Sequence, residues 1–398
     1  MIFLAAIFTG LSSCQPDVFE ETEKEDQSVE TTVSGLLEGH YIVVLKRDAV
    51  NARIQLHGDH KQRTEDMKSA IGPLLRKALI AEASLEHVYS SSIYGFSAPL
   101  NKDMLDNLIK DPEVAYIEQD RIITLAPPWE RGEEDAGTGQ EAPYGINRVG
   151  GAVDFSDCNH VAWVIDTGID LDHPDLNVDE SRGFNAFTKG RDSKSLDDGD
   201  GHGTHVAGII GAIDNEIGVV GVAAGVTVVP IKVLDSKGNG TYSGVIAGVD
   251  YVAANGEPGD VANLSLGGPE SATLDQAVVE AAKNGVIFCV AAGNDADDAD
   301  NYSPARAEGK NVYTISAMDN NDTWASFSNF GNPPVDFCSP GVSIRSTWKG
   351  GAYRTISGTS MAAPHAAGVF LVSGGNYKTD GVVKNDPDGF DDPVIVHK

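Results

Sequence analysis

From Tyr144 onward the chain alternates apolar runs with stretches of helical periodicity, and this alternation constrains the fold more than any other feature. Such a chain is expected to form an α/β domain, a parallel sheet flanked by helices, with functional side chains at the carboxyl ends of the strands. Val161-Ala162-Trp163-Val164-Ile165 is one such run, and it ends in Asp166-Thr167-Gly168, a carboxylate followed by a glycine turn. A second, Val286–Val290, leads into Ala291-Ala292-Gly293-Asn294. Cys289 lies inside that run, where a buried thiol is expected.

Two further segments match the first in character. In Asp200-Gly201-His202-Gly203-Thr204-His205, glycines flank a histidine at the start of a small-residue helix. In Ser357-Gly358-Thr359-Ser360-Met361-Ala362, a serine follows a glycine turn and opens another helix. Taken singly, the aspartate could be a helix cap, the histidine structural and the serine an N-cap. Taken together they form a set with chemical meaning. A serine hydroxyl is a poor nucleophile at neutral pH, a histidine can remove its proton, and a buried carboxylate can hold the imidazole in one tautomer. His205 and His365 lie in the same motifs but read as structural.

Residues 40–125 read as a small α+β unit. Tyr41–Leu45 is β-branched and strand-like. Met67, Ile71, Leu74, Leu75, Ala78 and Leu79 recur at helical spacing between about Arg63 and His87, with Pro73 expected to kink or delimit the helix. Val88–Pro99 reads as a strand and Asn101–Lys110 as a short amphipathic helix. Val114–Glu118 and Ile122–Leu125 read as further strands, giving β-α-β-α-β. Residues 126–140, with Pro127-Pro128, Gly132, Gly137, Gly139 and the acids Glu133, Glu134 and Asp135, read as an exposed linker open to proteolysis.

Charge bears on partners. The 398 residues carry 59 acids against 29 bases, a formal charge of -30, which argues against binding a nucleic-acid backbone. Eight of the acids and one base fall between Asp17 and Glu38, so residues 15–38 read as a solvated acidic tether. Residues 1–14 are mostly apolar, too short to span a bilayer, and suited to a secretion signal. Their ending, Leu11-Ser12-Ser13-Cys14, resembles a bacterial lipoprotein signal with Cys14 as the lipidated residue, although no Lys or Arg precedes the apolar run. A plain cleaved signal is the other reading. Export from a bacterial cell is expected in both, with membrane attachment only through that lipid. Cys158, Cys289 and Cys338 remain, an odd number that permits one internal disulfide at most, and pairing of Cys158 with Cys338 stays open.

The three motifs, in the order Asp, His, Ser, resemble the subtilisin family of serine endopeptidases, particularly its proteinase K and bacterial subtilisin branches. The resemblance implies a catalytic domain over residues 141–398 and an inhibitory propeptide over 40–125. It implies Ser360 as nucleophile, His202 as general base and then acid, and Asp166 as the group orienting His202. Asn294 and the Ser360 backbone N–H are the implied oxyanion donors. Leu264–Gly268, with Leu266 and Gly267, is implied to pair with an extended polypeptide substrate. Gly238–Ser243 forms the opposite edge, with Tyr242 on a distal apolar pocket. Ala291, Ala292 and Gly293 are implied to wall the first pocket, with a broad apolar or aromatic preference. The propeptide is expected to inhibit its own enzyme until a self-cut between about Leu125 and Gln140.

The same resemblance implies calcium, held by the side chains of Asp175 and Asn215 and the carbonyls of Ile213, Ile217 and Val219. The family's N-terminal ligand has no evident counterpart in the linker. Asp336 resembles a second calcium carboxylate, whereas Asn294–Asp300 and the acids Asp386, Asp388, Asp391 and Asp392 read as solvated loops.

Overall fold

The computed structural model describes residues 35–125, 132, 134–136 and 139–398. The signal segment, Cys14, the acidic tether and most of the linker's N-terminal half lie outside the described residues.

The N-terminal unit is an antiparallel sheet with helices on one face. Its strands are Leu36–Leu45, His87–Tyr89, Gly95–Pro99 and Val114–Thr124. Two expectations are corrected. Val88–Pro99 holds two strands joined by a turn, so the order is β-α-β-β-α-β with a further short helix at Arg47–Asn51. Val114–Thr124 is one strand, because the polar Gln119-Asp120-Arg121 stays extended instead of turning. The main helix runs His60–Ala78 straight through Pro73. It opens on an Asp59 cap to the Gln62 N–H (2.9 Å) and closes at Leu79 in the left-handed region (φ 61°). Buried Met67, Ile71, Leu74 and Leu75 lie on both sides of Pro73 and hold the two halves to the sheet. Each such buried aliphatic side chain contributes roughly 1.5–3 kcal/mol.

The second domain is a ten-stranded sheet, parallel through its centre. Strand Val161–Asp166 sits between Val261–Leu264 and Thr227–Lys232. Alternate side chains face opposite ways along it. Trp163 and Ile165 join the cluster under helices Tyr242–Asn255 and Ala272–Ala282. Ala162 and Val164 join the cluster with helices His202–Gly211 and Thr359–Ser373. A hairpin, Lys378–Val382 and Pro393–Val396, extends the sheet beyond Val335–Pro340.

The N-terminal sheet lies against the first of these helix pairs. Ile42, Val44, Tyr89, Ile93 and Ile123 belong to the same apolar cluster as Val245, Val249 and Leu274. Cys158, Cys289 and Cys338 are all free thiols, so the pairing left open by the sequence is absent among the described residues. No helix among the described residues is long and apolar enough to cross a membrane.

Candidate active site

Asp166 and His202 meet directly, while the Ser360 hydroxyl turns to the Ser265 carbonyl and makes no hydrogen bond to His202. Asp166 is the last residue of its strand and fully buried. His202 is the first residue of its helix, and its Nδ1 meets both Asp166 oxygens, at 2.9 and 3.0 Å. The glycines around His202 are steric necessities. Gly201 has φ 114°, and a Cβ there would meet Trp348 at 2.4 Å. A Cβ on Gly203 would meet the Gly168 carbonyl at 2.1 Å.

Asp198, which the sequence reading did not single out, organises this corner. Its carboxylate accepts from the Thr167 hydroxyl (2.8 Å) and the N–H groups of Asp200 (3.0 Å), Gly201 (2.8 Å) and Thr204 (2.9 Å). The Thr204 hydroxyl adds a bond at 2.7 Å. A buried side chain thus caps the helix that carries His202 and ties it to the strand that carries Asp166. Burial is the largest influence on the His202 pKa and lowers it. The Asp166 charge and hydrogen bond, with Asp200 and Asp198, outweigh it, and the net shift is upward from 6.5.

Ser360 lies in the first turn of Thr359–Ser373. Its hydroxyl donates to the Ser265 carbonyl at 3.2 Å, while the Ser265 hydroxyl donates to the Ser360 carbonyl at 2.8 Å. The Asn294 side-chain oxygen accepts from the Thr359 N–H and hydroxyl, both at 2.9 Å. That fixes the amide plane and leaves its NH2 group for the cleft, where Asn294 and Ser360 line the same cavity of about 330 Å³. Ser265, Leu266, Gly267, Gly268, Ala291, Ala292 and Gly293 line it too. Asp295 and Tyr302 complete the wall. Asp295, read from the sequence as part of a solvated loop, adds a carboxylate to this wall. It is exposed at the rim and pushes Tyr302, whose chief shift comes from burial, up to about 12. Tyr242 is fully buried beneath this surface, in one cluster with Ile123 of the N-terminal unit. His205 and His365 are buried and structural in their bonding. His205 Nε2 meets the Ile344 and Arg354 carbonyls, both at 3.1 Å, and His365 Nδ1 meets the Met361 carbonyl at 2.8 Å.

The cleft is occupied by the chain's own N-terminal unit. Strand Val114–Thr124 pairs antiparallel with Asn239–Thr241, and the Leu125 N–H donates to the Gly238 carbonyl at 2.9 Å. Thr124 and Leu125 line the cavity with Ser360. Polar contacts fix this seat. Glu118 accepts from the Thr273 N–H (3.1 Å) and hydroxyl (2.6 Å) and the Ser271 hydroxyl (2.5 Å). In the reverse direction, Asp250 accepts the successive N–H groups of Ser90, Ser91 and Ser92 at 3.0, 2.8 and 2.7 Å.

Asp175, Asn215, Ile213, Ile217 and Val219 form one cradle. Asp175 is fully buried and accepts from Asn215 Nδ2 (2.7 Å), the Val219 N–H (3.1 Å) and the Tyr353 hydroxyl (3.1 Å). Asn215 Oδ1 accepts the Ile217 N–H at 2.7 Å. Gln140 enters the cradle from the linker, its Nε2 donating to the Ile213 carbonyl at 3.2 Å. No cationic side chain pairs with Asp175 among the described residues, and burial raises its pKa. A hard cation takes oxygen ligands, so one held here would displace donors that Asp175 now accepts and turn the Asn215 oxygen from the Ile217 N–H. No group of three His, Cys, Asp or Glu side chains gathers as a metal site among the described residues, so the ligands would be mostly neutral oxygens. Asp336 accepts the Thr314 N–H at 2.8 Å and is pushed up to about 7 by burial, as a structural carboxyl would be.

A parallel sheet with His202 held on Asp166 at its carboxyl end, packed against an inhibitor-like unit, has the architecture of a subtilisin-like serine peptidase. Residues 161–379 match the subtilase family, and residues 40–126 match the peptidase inhibitor I9. The chain belongs to the subtilase family. It is 43% identical to alkaline serine exoprotease A of Vibrio alginolyticus over 294 residues, 72% of this chain and 52% of that protein. This chain therefore spans about half of that relative's length. It is 37% identical over 377 residues to the extracellular serine proteinase of Thermus sp. (strain Rt41A), covering 90% of this chain and 85% of that one. A solved cold-adapted subtilisin-like serine proteinase superposes with a TM-score of 0.57 at 37% identity, over 65% of this chain and 98% of that chain.

Proposed function

We propose that this chain is the self-processing precursor of an exported serine endopeptidase. The observation that carries this reading is the two-point hold of Asp166 on His202, together with a Ser360–Asn294 cavity walled by the chain's own Thr124 and Leu125. In the reaction, Ser360 Oγ leaves its Ser265 acceptor and attacks the substrate carbonyl carbon. His202 Nε2 takes the hydroxyl proton, and Asp166 steadies the imidazolium through Nδ1. The carbonyl oxygen becomes an anion, met by the Asn294 amide and the Ser360 N–H. The C–N bond breaks as His202 returns the proton to the leaving amine. Water, deprotonated by His202, then attacks the acyl carbon; the ester bond to Ser360 Oγ breaks, His202 returns the proton to Oγ, and the carboxylic acid leaves. An extended peptide would add as a strand between Gly238–Gly240 and Leu266–Gly267, along the first of which the propeptide now pairs.

Self-cleavage is tested with the full chain carrying Ser360→Ala. The variant is expected to stay uncut in isolation while the unsubstituted chain is cut. Equal, spontaneous processing of both would overturn it. An ester-selective enzyme is the rival reading, and the peptide-like seating of Leu125 favours amide substrates.

We propose calcium in the Asp175 cradle as a stabilising ion with no part in the reaction, and Cys14 as a lipid anchor. A chelator is expected to shorten the thermal half-life, and an unchanged half-life removes the ion. For the anchor, the mass of the exported N-terminus decides, and an unacylated start at Gln15 or later removes it.

A further inference from the structure

Residues 126–140 were expected to be an exposed linker, yet its described members from Gly132 on are bonded to the catalytic domain. The Gly132 N–H donates to the Thr355 carbonyl at 3.0 Å. Asp135 and Tyr353 exchange both main-chain hydrogen bonds, at 3.1 and 2.9 Å, as an antiparallel pair. Further on, the Gln140 N–H donates to the Glu216 carbonyl (3.2 Å) and the Glu141 N–H to the Gly218 carbonyl (2.9 Å). The segment therefore adds to the free edge of strand Ala352–Ile356, which pairs on its other side with Ile344–Trp348.

Charge reinforces the main-chain pairing. Arg345 reaches Asp135 at 2.5 Å and Glu141 at 3.3 Å. Arg354 reaches Glu134 at 3.1 Å and the Gly132 carbonyl at 3.2 Å. Neither arginine is a floppy surface cation. Arg345 lies 5.2 Å over the Tyr353 ring and Arg354 4.8 Å over the Trp348 ring, and their side chains are only 20% and 17% exposed. Stacked guanidinium groups lose little further freedom on pairing. Upstream, the last described contact of the propeptide is Leu125 with Gly238, in the cleft.

We propose that the chain from Gly132 onward is a permanent N-terminal arm of the mature peptidase, clamped by Arg345 and Arg354, and that maturation cuts upstream of Gly132. This rests on the reading above that the propeptide is removed by proteolysis. The arm lies over Tyr353, whose hydroxyl bonds Asp175, so it also braces the cradle that Gln140 enters.

The test is N-terminal sequencing and intact mass of the mature enzyme made from the full chain. The expected species begins at or before Gly132 and persists on prolonged incubation. A sole mature species beginning at Ala136 or later overturns the proposal. In Arg345→Ala/Arg354→Ala, the arm is expected to be trimmed beyond Asp135, with thermal inactivation faster by about threefold or more. An intact arm and an unchanged half-life in that variant would also overturn it. Glu134→Lys/Asp135→Lys breaks the same clamp from its solvent-facing side, should the arginine variant fail to fold. Ser360→Ala precursor cut by added active enzyme reports the same boundary, so failure of self-cleavage and failure of the arm are separable.

Discussion

The carboxylate of Asp120, near the end of the propeptide's last strand, sits on the N-terminus of the helix beginning at Tyr242. It accepts the Ser243 N–H at 3.0 Å and the Ser243 hydroxyl at 2.5 Å. Two residues earlier on the same face, Glu118 does the same for the Ala272–Ala282 helix. An anion at a helix N-terminus meets unpaired N–H groups and the positive end of the helix dipole.

Glu118→Gln or Asp120→Asn in a separately added propeptide is therefore expected to weaken inhibition of the mature enzyme by roughly 10–100-fold, the loss of one or two charge-assisted hydrogen bonds. Inhibition constants against a peptide substrate read this directly. Unchanged constants would mean that apolar contact alone seats the propeptide.

Asn294→Ala is expected to lower kcat by about 10²–10³-fold with little change in KM, because the amide meets charge that exists only in the transition state. A rise in KM at constant kcat would assign Asn294 to substrate binding instead. The thermal midpoint should be followed alongside, since Thr359 loses two bonds in this variant.

His202 must be neutral to act as a base, and its net pKa is raised above 6.5. The kcat/KM profile is therefore expected to fall on acidification through a value above 6.5. Stability runs the other way. The imidazolium is favoured in the fold, so that contribution is present below pH 6.5 and is lost as pH rises through the folded pKa. Asp166→Asn removes the chief group raising the pKa, and is expected to shift the acid limb downward and cut kcat by about 10⁴-fold. An unmoved limb would show that another group is being titrated.

Asp295 at the cleft rim is expected to raise acceptance of lysine relative to phenylalanine at the acyl side of the cut bond. Asp295→Asn should lower the lysine-to-phenylalanine ratio of kcat/KM by about three- to tenfold, the range of an exposed charge pair. A ratio that does not move places Asp295 outside the pocket's reach.

The fold class and the pairing of Asp166 with His202 were legible because each motif is local. Gly201 and Gly203 are dictated by Trp348 and Gly168, yet they announce themselves beside His202 in seven letters of sequence. What depended on distant partners was not legible. Gln119-Asp120-Arg121 looked like a break between two strands because its polarity interrupts an apolar pattern. Asp120 is polar because, like Glu118 before it, it faces a helix end more than a hundred residues away, and Gln119 reaches the Leu37 carbonyl. Gln140 and Asp198 were missed for the same reason, since nothing in their own neighbourhood reveals the Ile213 carbonyl or the helix start that each one meets. Pro73 was over-read, because propensity weighs less than a buried face that continues on both sides of it.

The seating of Leu125 in the cleft also makes activation a matter of dilution. While the chain is whole, the inhibitory strand is tethered and faces the cleft at an effective concentration on the order of millimolar, whatever the amount of protein. Once the chain is cut, that ceiling vanishes, and occupancy follows the bulk concentration of released propeptide. Crowded molecules would hold one another silent, while the same molecules dispersed into a large volume would switch on.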